Sequence, residues 1–315
     1  MNNENRYNSR QLFVASMLSA LLVAAVIIIV GYTYERKRSK EEDDLYRQKI
    51  TETYSVFNFP VPVSASFCGE TVPLDRDDCY ERFDRELMVN TYYHSNTFLC
   101  LKRSARFFPI IENILKEEGV PDDVKFLCVI ESNLSNVVSP AGAAGYWQFL
   151  AATATGYGLE VNEHVDERYD IEKSTRAACR FLKECYQQFG SWTMAAAAYN
   201  MGRGGLSKVS QTQNESEYWH LSLNEETSRY VFRILAVKEI FSRPESYGYV
   251  LRPEDVYSKI EVSTVTVNKP IADLSTFCNE QNCRYRDLKF LNPWLKSNQL
   301  PNKTGKNYSI QIPKN

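Results

Sequence analysis

The sequence predicts a mainly α protein with an N-terminal membrane-crossing helix and a small C-terminal α/β unit, and three observations predict it. Residues 12–30, LFVASMLSALLVAAVIIIV, form an uncharged run of 19 residues, close to the ~20 that span hydrocarbon as a helix. From about residue 67 to 250, apolar residues recur at helical spacing, and periodic stretches close on glycines such as Gly119 and Gly190. From Val262 the pattern changes to alternating Val and Thr, which suits a strand. Composition agrees: 43% hydrophobic residues beside 13 glycines fit a packed globular chain, not a disordered or collagen-like one.

The apolar run reads as a transmembrane signal anchor, 12–31, behind a short cytoplasmic N-terminus, 1–11. It exceeds the ~7–15-residue core of a cleaved signal peptide, and no small-x-small cleavage site follows Gly31 and Tyr32. The flanking charges conflict with an exported domain. Arg6 and Arg10 precede the run, whereas Arg36, Lys37, Arg38 and Lys40 follow it, and the positive-inside rule taken literally leaves the large domain in the cytoplasm. Residues 32–66 read as a stalk, charged at 39–49 and extended at 58–66, where Pro60 and Pro62 stand.

The globular part, 67–250, carries helical spacing at 78–88, 104–118, 122–132, 144–156, 171–189 and 225–241. The second unit, 258–315, reads as a strand from Val262, a short helix near 271–279 and a closing strand at 308–312. With 37 Lys and Arg against 39 Asp and Glu, the net charge of -2 provides no basic field to attract nucleic acid. Eight cysteines and three histidines form neither a CxxC nor an HExxH, so no metal and no cofactor are expected. Cys68 with Cys79, and Cys278 with Cys283, are close enough in sequence for short-loop disulfides in an oxidising compartment. Cys100, Cys128 and Cys179 read as buried thiols.

The most informative stretch opens on Pro121, Asp122 and Asp123, a helix start with acids at the positive dipole end, and runs through VKFLCVI to Glu131. Glu131 therefore falls at the helix C-terminus. The negative dipole pole and the neighbours Val129, Ile130 and Leu134 disfavour its charged form there and should raise its pKa. A carboxylic acid kept protonated near neutral pH is what a general acid requires. Position alone favours the plainer reading, an exposed glutamate past a helix end.

The order of the next segments decides between these readings: ESNLSNVVSPAGAAGYWQF, then GLEVNEHVDERYDIEKSTRAACRFL, then FGSWTMAAAAYNMG, then YWHLSLNEETSRYV. Over about 68–240 it resembles the catalytic domain of the lytic transglycosylases of glycoside hydrolase family 23. That resemblance implies a lysozyme-like fold with a long sugar groove acting on peptidoglycan. Carried over by motif, Glu131 is the single catalytic acid and base, and Ser139 of the SPAGA turn hydrogen-bonds near the cleaved bond. Gln148 of GYWQ and Asn200 of AYN are sugar-binding positions, and Tyr199 and Tyr230 orient the acid or the substrate. Trp147 reads as core rather than as a sugar platform, and Asp166, Glu167 and Asp170 read as caps and surface charges. Leu150, Ala151, Met201 and Phe232 depart from the family's usual residues and bear on groove shape.

Ordinary glycosidases place two carboxylates about the scissile bond, whereas the resemblance supplies one. It implies that Glu131 protonates the bond between N-acetylmuramic acid and N-acetylglucosamine, then takes a proton as the C6 hydroxyl closes on C1. The product is a 1,6-anhydro sugar and no water is consumed. The alternatives are a goose-type muramidase on the same fold and a non-catalytic cell-wall anchor. The implied location is the bacterial envelope, with the membrane lipid holding the N-terminal helix and the catalytic domain in the periplasm. The 258–315 unit resembles a divergent lysin motif, through Leu291-Asn292-Pro293 and the closing Ile312-Pro313. Its nine Lys and Arg against four Asp and Glu suit weak, salt-sensitive retention on wall carboxylates.

Overall fold

The computed structural model describes residues 9–52 and 57–314. Positions 1–8 of the expected cytoplasmic stretch, Arg6 among them, and 53–56 of the expected stalk lie outside the described residues. Two units make up the chain, Met1–Asn58 and Phe59–Asn315.

Among the described residues of the first unit is one helix, α1 (Ser9–Glu52), which contains a segment, Ser16–Lys49, long and apolar enough to cross a membrane. Leu21, Ile27 and Ile28 on it are exposed. The helix does not stop where the apolar run stops. Lys, Arg and Glu are good helix formers, and Lys37–Glu41 at 4.0 Å and Arg38–Glu42 at 3.0 Å are i,i+4 pairs that each add a few tenths of a kcal/mol. The first part of the expected stalk is therefore helical.

The second unit opens on a two-strand hairpin, β1 (Ser66–Phe67) and β2 (Glu70–Thr71), paired antiparallel. A bundle of α-helices follows: α2 (Asp77–Tyr92), α3 (His94–Glu118), α4 (Lys125–Ser132), α5 (Ala151–Gly156), α6 (Ile171–Phe189), α7 (Trp192–Met201), α8 (Arg203–Gln213) and α9 (Glu225–Ser242). α9 packs on α2, α4 and α7, while α6 packs on α3 and α7. Hairpin and bundle are joined by Glu70, whose carboxylate accepts from the Trp192 and Thr193 amides at 2.5 and 2.9 Å, capping α7.

Three expectations need correction. The expected helix over 144–156 exists only as α5, because Gly145 (φ 81) and Gln148 (φ 51) are left-handed and turn the chain into a bridged loop, Val138 to Ala144 and Ala144 to Phe149. Asp166 and Glu167 are buried, not surface charges, since each is paired with a cation. Neither short-loop disulfide is formed: all eight cysteines are thiols. Cys79 lies in the core while Cys68 sits in the β1–β2 turn. Cys278 and Cys283 do adjoin, and burial followed by the Cys283 contact pushes the Cys278 thiol up to about 12. Helix α8 lies outside the expected set. Gly204 and Gly205 weaken its propensity, and its one buried anchor is Leu206.

The last segment forms a βααβ module: β3 (Val262–Val267), α10 (Leu274–Glu280), α11 (Tyr285–Leu291) and β4 (Tyr308–Pro313). β3 and β4 pair antiparallel from Val262 with Pro313 to Val267 with Tyr308. Its core of Leu274, Leu288, Trp294, Leu295, Leu300, Tyr308 and Ile310 is continuous with Ala144, Val165 and Tyr169 of the helical part.

Candidate active site

Helix α4 is short and apolar, with Phe126, Leu127, Cys128 and Val129 buried, so that packing rather than length holds it. Its start is fixed by Asp123, which accepts from Lys238 of α9 at 2.7 Å and from the Cys68 amide at 2.7 Å. Its end carries Glu131 as the penultimate residue. Asn133 and Leu134 then both adopt φ 53, a left-handed pair that reverses the chain directly after the carboxyl. A bulky residue such as Leu134 occupies that region at a cost of about 1–3 kcal/mol. The turn is held by Arg103, donating to the Asn133 carbonyl at 3.0 Å, and by Asn96, donating to the Asn133 side chain at 3.1 Å.

Tyr230 of α9 is buried and donates from its hydroxyl to Glu131 Oε1 at 2.5 Å. Glu131 is half-buried at the end of α4. Burial raises its pKa from 4.5 to about 7, against the opposing pull of the Tyr230 hydrogen bond and the Arg233 guanidinium, with the Glu226 charge adding to the rise. Tyr230 itself is held well above the ordinary tyrosine range by burial first and the Glu131 charge second. It therefore remains a hydrogen-bond donor near neutral pH.

The other expected residues are each held by hydrogen bonds of their own. Ser139 closes its turn, accepting at Oγ from the Ala143 amide at 3.1 Å. Gln148 donates from its amide to the carbonyls of Val137 and Gly145, at 3.0 and 2.8 Å, and so stitches the 137–148 loop together. Tyr199 donates to the Trp147 carbonyl at 2.7 Å rather than to Glu131. Asn200 spends both ends of its amide on α9, donating to Glu226 at 3.1 Å and accepting from Thr227 at 2.8 Å. Trp147 is fully buried with its indole N–H on Thr175 at 2.9 Å, as core rather than platform.

Sequence reasoning missed three charges: Glu226 and Arg233, which act on Glu131, and Arg168, which anchors the loop. Glu226, Tyr230 and Arg233 are spaced four and three apart on α9, hence on one helix face, and that spacing was the available signal. Arg233 donates to the Ile130 carbonyl at 3.3 Å. A pocket of about 260 Å³ opens beside this end of α4, lined by Asn90, Asn96, Ile130, Asn133, Arg229 and Arg233 among others. Among the described residues, no group of three or more His, Cys, Asp or Glu side chains gathers into a metal site.

Residues 108–222 match the transglycosylase SLT domain, and residues 263–315 match the soluble lytic transglycosylase C-terminal LysM-like domain. The first match includes Glu131, Ser139, Gln148, Tyr199 and Asn200, while Tyr230 lies beyond it. Membrane-bound lytic murein transglycosylase D from two Escherichia coli strains, K12 and O6:H1, is 28% identical over 222 residues, covering 67% of this chain and 48% of those proteins. A protein named for tributyltin chloride resistance in Alteromonas sp. strain M-1 is 32% identical over 120 residues, 36% of this chain and 58% of that protein. The chain thus spans about half the length of the first two relatives. It is homologous to membrane-bound lytic murein transglycosylase D, and it carries a transglycosylase SLT domain followed by a LysM-like domain of the soluble lytic transglycosylase C-terminal type.

Proposed function

We propose that the chain is a peptidoglycan lytic transglycosylase, with 67–250 as its catalytic unit, Glu131 as the single acid and base, and the N-terminal helix as a membrane anchor that leaves this unit in the periplasm. The observation that carries the reading is the Glu131–Tyr230 pair: a carboxyl whose pKa burial has moved to about 7, held by a buried phenol at 2.5 Å. Such a carboxyl can give a proton and take one back at the same pH. In the proposed reaction Glu131 protonates the oxygen between N-acetylmuramic acid and N-acetylglucosamine, and the acetamido group supports the cation that develops at C1. The C6 hydroxyl then attacks C1 while Glu131 recovers a proton from it. The bond to the leaving sugar breaks, the C6–O–C1 bond forms, and the product is a 1,6-anhydro end. Ser139, Gln148, Tyr199 and Asn200 shape the sugar groove in this reading, through the loop and helix contacts they make.

Hydrolysis on the same frame would need a second carboxylate to place a water. Glu226 is the carboxylate whose charge reaches Glu131, but it is exposed and engaged by Asn200, which favours the route without water. Incubating the unit from about residue 60 onward with purified peptidoglycan and weighing the new sugar ends decides the matter. Anhydro ends are expected. Reducing ends carrying oxygen from labelled water would mark a muramidase, and unchanged glycan a binding protein.

A further inference from the structure

The 258–315 module does not hang free of the helical domain. Leu295 bridges Val165 in antiparallel fashion, the Asp166 amide donates to the Trp294 carbonyl at 2.9 Å, and the Lys296 amide to the His164 carbonyl at 2.8 Å. Beside this backbone seam, Lys306 donates to Glu160 at 2.7 Å and to Glu167 at 2.8 Å, and the Tyr308 hydroxyl donates to Glu160 at 2.8 Å. Glu167 is only 2% exposed. A carboxylate so buried holds its position through its cations, here Lys306 and Lys173, because an unpaired buried charge is strongly unfavourable. Its second oxygen accepts from the Glu160 amide at 2.8 Å, closing the 160–167 segment on itself.

From that segment the contacts continue inward. Arg168 is gripped by both oxygens of Asp166, at 2.9 and 2.7 Å, and its Nη1 donates to the carbonyls of Gly142 and Phe149, each at 3.0 Å. Those two carbonyls lie at the ends of the loop that carries Gln148 and follows Ser139. The same loop presses against Arg168 at Gly145, where a Cβ would stand 1.9 Å from the Arg168 carbonyl oxygen. The segment that the module holds is therefore the segment that holds the loop.

We propose that the C-terminal module is a buttress of the active-site loop and that Lys306 is a positioning residue: by fixing Glu160 and Glu167 it fixes Arg168, and through Arg168 the loop that follows Ser139 and bears Gln148. This rests on the groove role given to those two residues above. It departs from a module that serves only for retention on the wall.

The test uses the full chain, with Lys306→Glu to repel the two glutamates and Lys306→Arg to keep the charge. Lys306 is partly exposed, so neither change empties the core. Amide exchange is read over 137–149, over 160–167 and over α9 as an internal control, and kcat and KM are measured on a short soluble glycan of two disaccharide units. In Lys306→Glu, exchange over 137–149 is expected to rise at least tenfold with α9 unchanged. The kcat is expected to fall at least tenfold while KM moves less than threefold. Lys306→Arg is expected to return all readouts to within twofold of the parent. Unchanged exchange over 137–149 in Lys306→Glu overturns the buttress, and so does faster exchange with kcat within twofold of the parent. If the parent cleaves no glycan, the proposed activity fails, while the exchange comparison still decides whether the module holds the loop.

Discussion

The Tyr230 hydroxyl and the Glu131 carboxyl meet at 2.5 Å, although 99 residues separate them in the chain and they belong to different helices. Burial makes each partner reluctant to carry a charge, and the bond is stable because only one of them does so at a time. The phenol stays protonated, so the carboxyl alone titrates near neutrality. Its proton occupancy is set by burial against the phenol and Arg233.

Replacing Glu131 by Gln keeps the shape and removes the proton. Activity on peptidoglycan is expected to fall more than about a hundredfold, in line with the ~10²–10⁴ that general acid/base groups supply. Stability should move the other way. A carboxyl at 4.5 when unfolded and about 7 when folded imposes no cost below about pH 4.5, a growing cost up to about pH 7 and its full cost above. Each tenfold change in proton affinity between the two states is worth about 1.4 kcal/mol. Glu131→Gln is therefore expected to stabilise the fold at pH 8 by up to about 3 kcal/mol and to change little at pH 4. Urea unfolding at the two pH values checks the sign.

Tyr230→Phe removes the donor that favours the ionised carboxyl. The Glu131 pKa is then expected to rise further above about 7, carrying the alkaline limb of the pH–rate profile upward. A hydrogen bond to a charged group is worth ~1.5–3 kcal/mol, so kcat at the optimum should fall roughly ten- to a hundredfold. An alkaline limb that stays in place would show that the phenol is not the group opposing burial.

Much of this arrangement was legible in the chain because it is local. Helices 171–189 and 225–241 follow from apolar spacing, and Glu131 at a helix end follows from its Pro-Asp-Asp start and apolar run. The later part of the loop between α4 and α5, from residue 144, was not legible. Ala143 to Ala154 is rich in helix formers, but Gly145 and Gln148 are left-handed, and Arg168, far along the chain, holds the carbonyls of Gly142 and Phe149. Asp166 caps its turn as expected, but its burial and that of Glu167 depend on contacts far along the chain: the Arg168 that pairs with Asp166 is itself tied to the Gly142 and Phe149 carbonyls, and Glu167 is reached by Lys306. The left-handed Leu134 gives no sequence signal at all, because nothing in a leucine announces a conformation that its surroundings impose.

Topology offers a separate test, independent of the site. Residues from Arg36 onward are expected outside the cytoplasmic membrane despite the four basic residues that follow the apolar run. Protease added to intact spheroplasts should therefore digest the large domain. Full protection would place it in the cytoplasm, where it has no peptidoglycan to cleave, and would sink the proposed location.

The final prediction sets two glycines of one loop against each other. Both are left-handed, Gly142 at φ 80 and Gly145 at φ 81, so alanine at either position meets the same backbone penalty, about 1 kcal/mol or somewhat more. They differ in what a methyl would touch. At Gly142 nothing stands within 4 Å, whereas at Gly145 the new Cβ would lie 1.9 Å from the Arg168 carbonyl oxygen and 2.5 Å from its carbon. That neighbour is backbone and cannot rotate away, so the loop or the 166–169 segment must move, adding overpacking of about 1–3 kcal/mol. Gly142→Ala is expected to lower Tm by a few degrees, at ~2–4 °C per kcal/mol for a domain of this size. Gly145→Ala is expected to lower it by about twice as much or more, and to depress cleavage while the folded fraction is still complete, because the displaced loop is the one that carries Gln148. Equal Tm losses in the two variants would show that the close approach to Arg168 is not what fixes the loop.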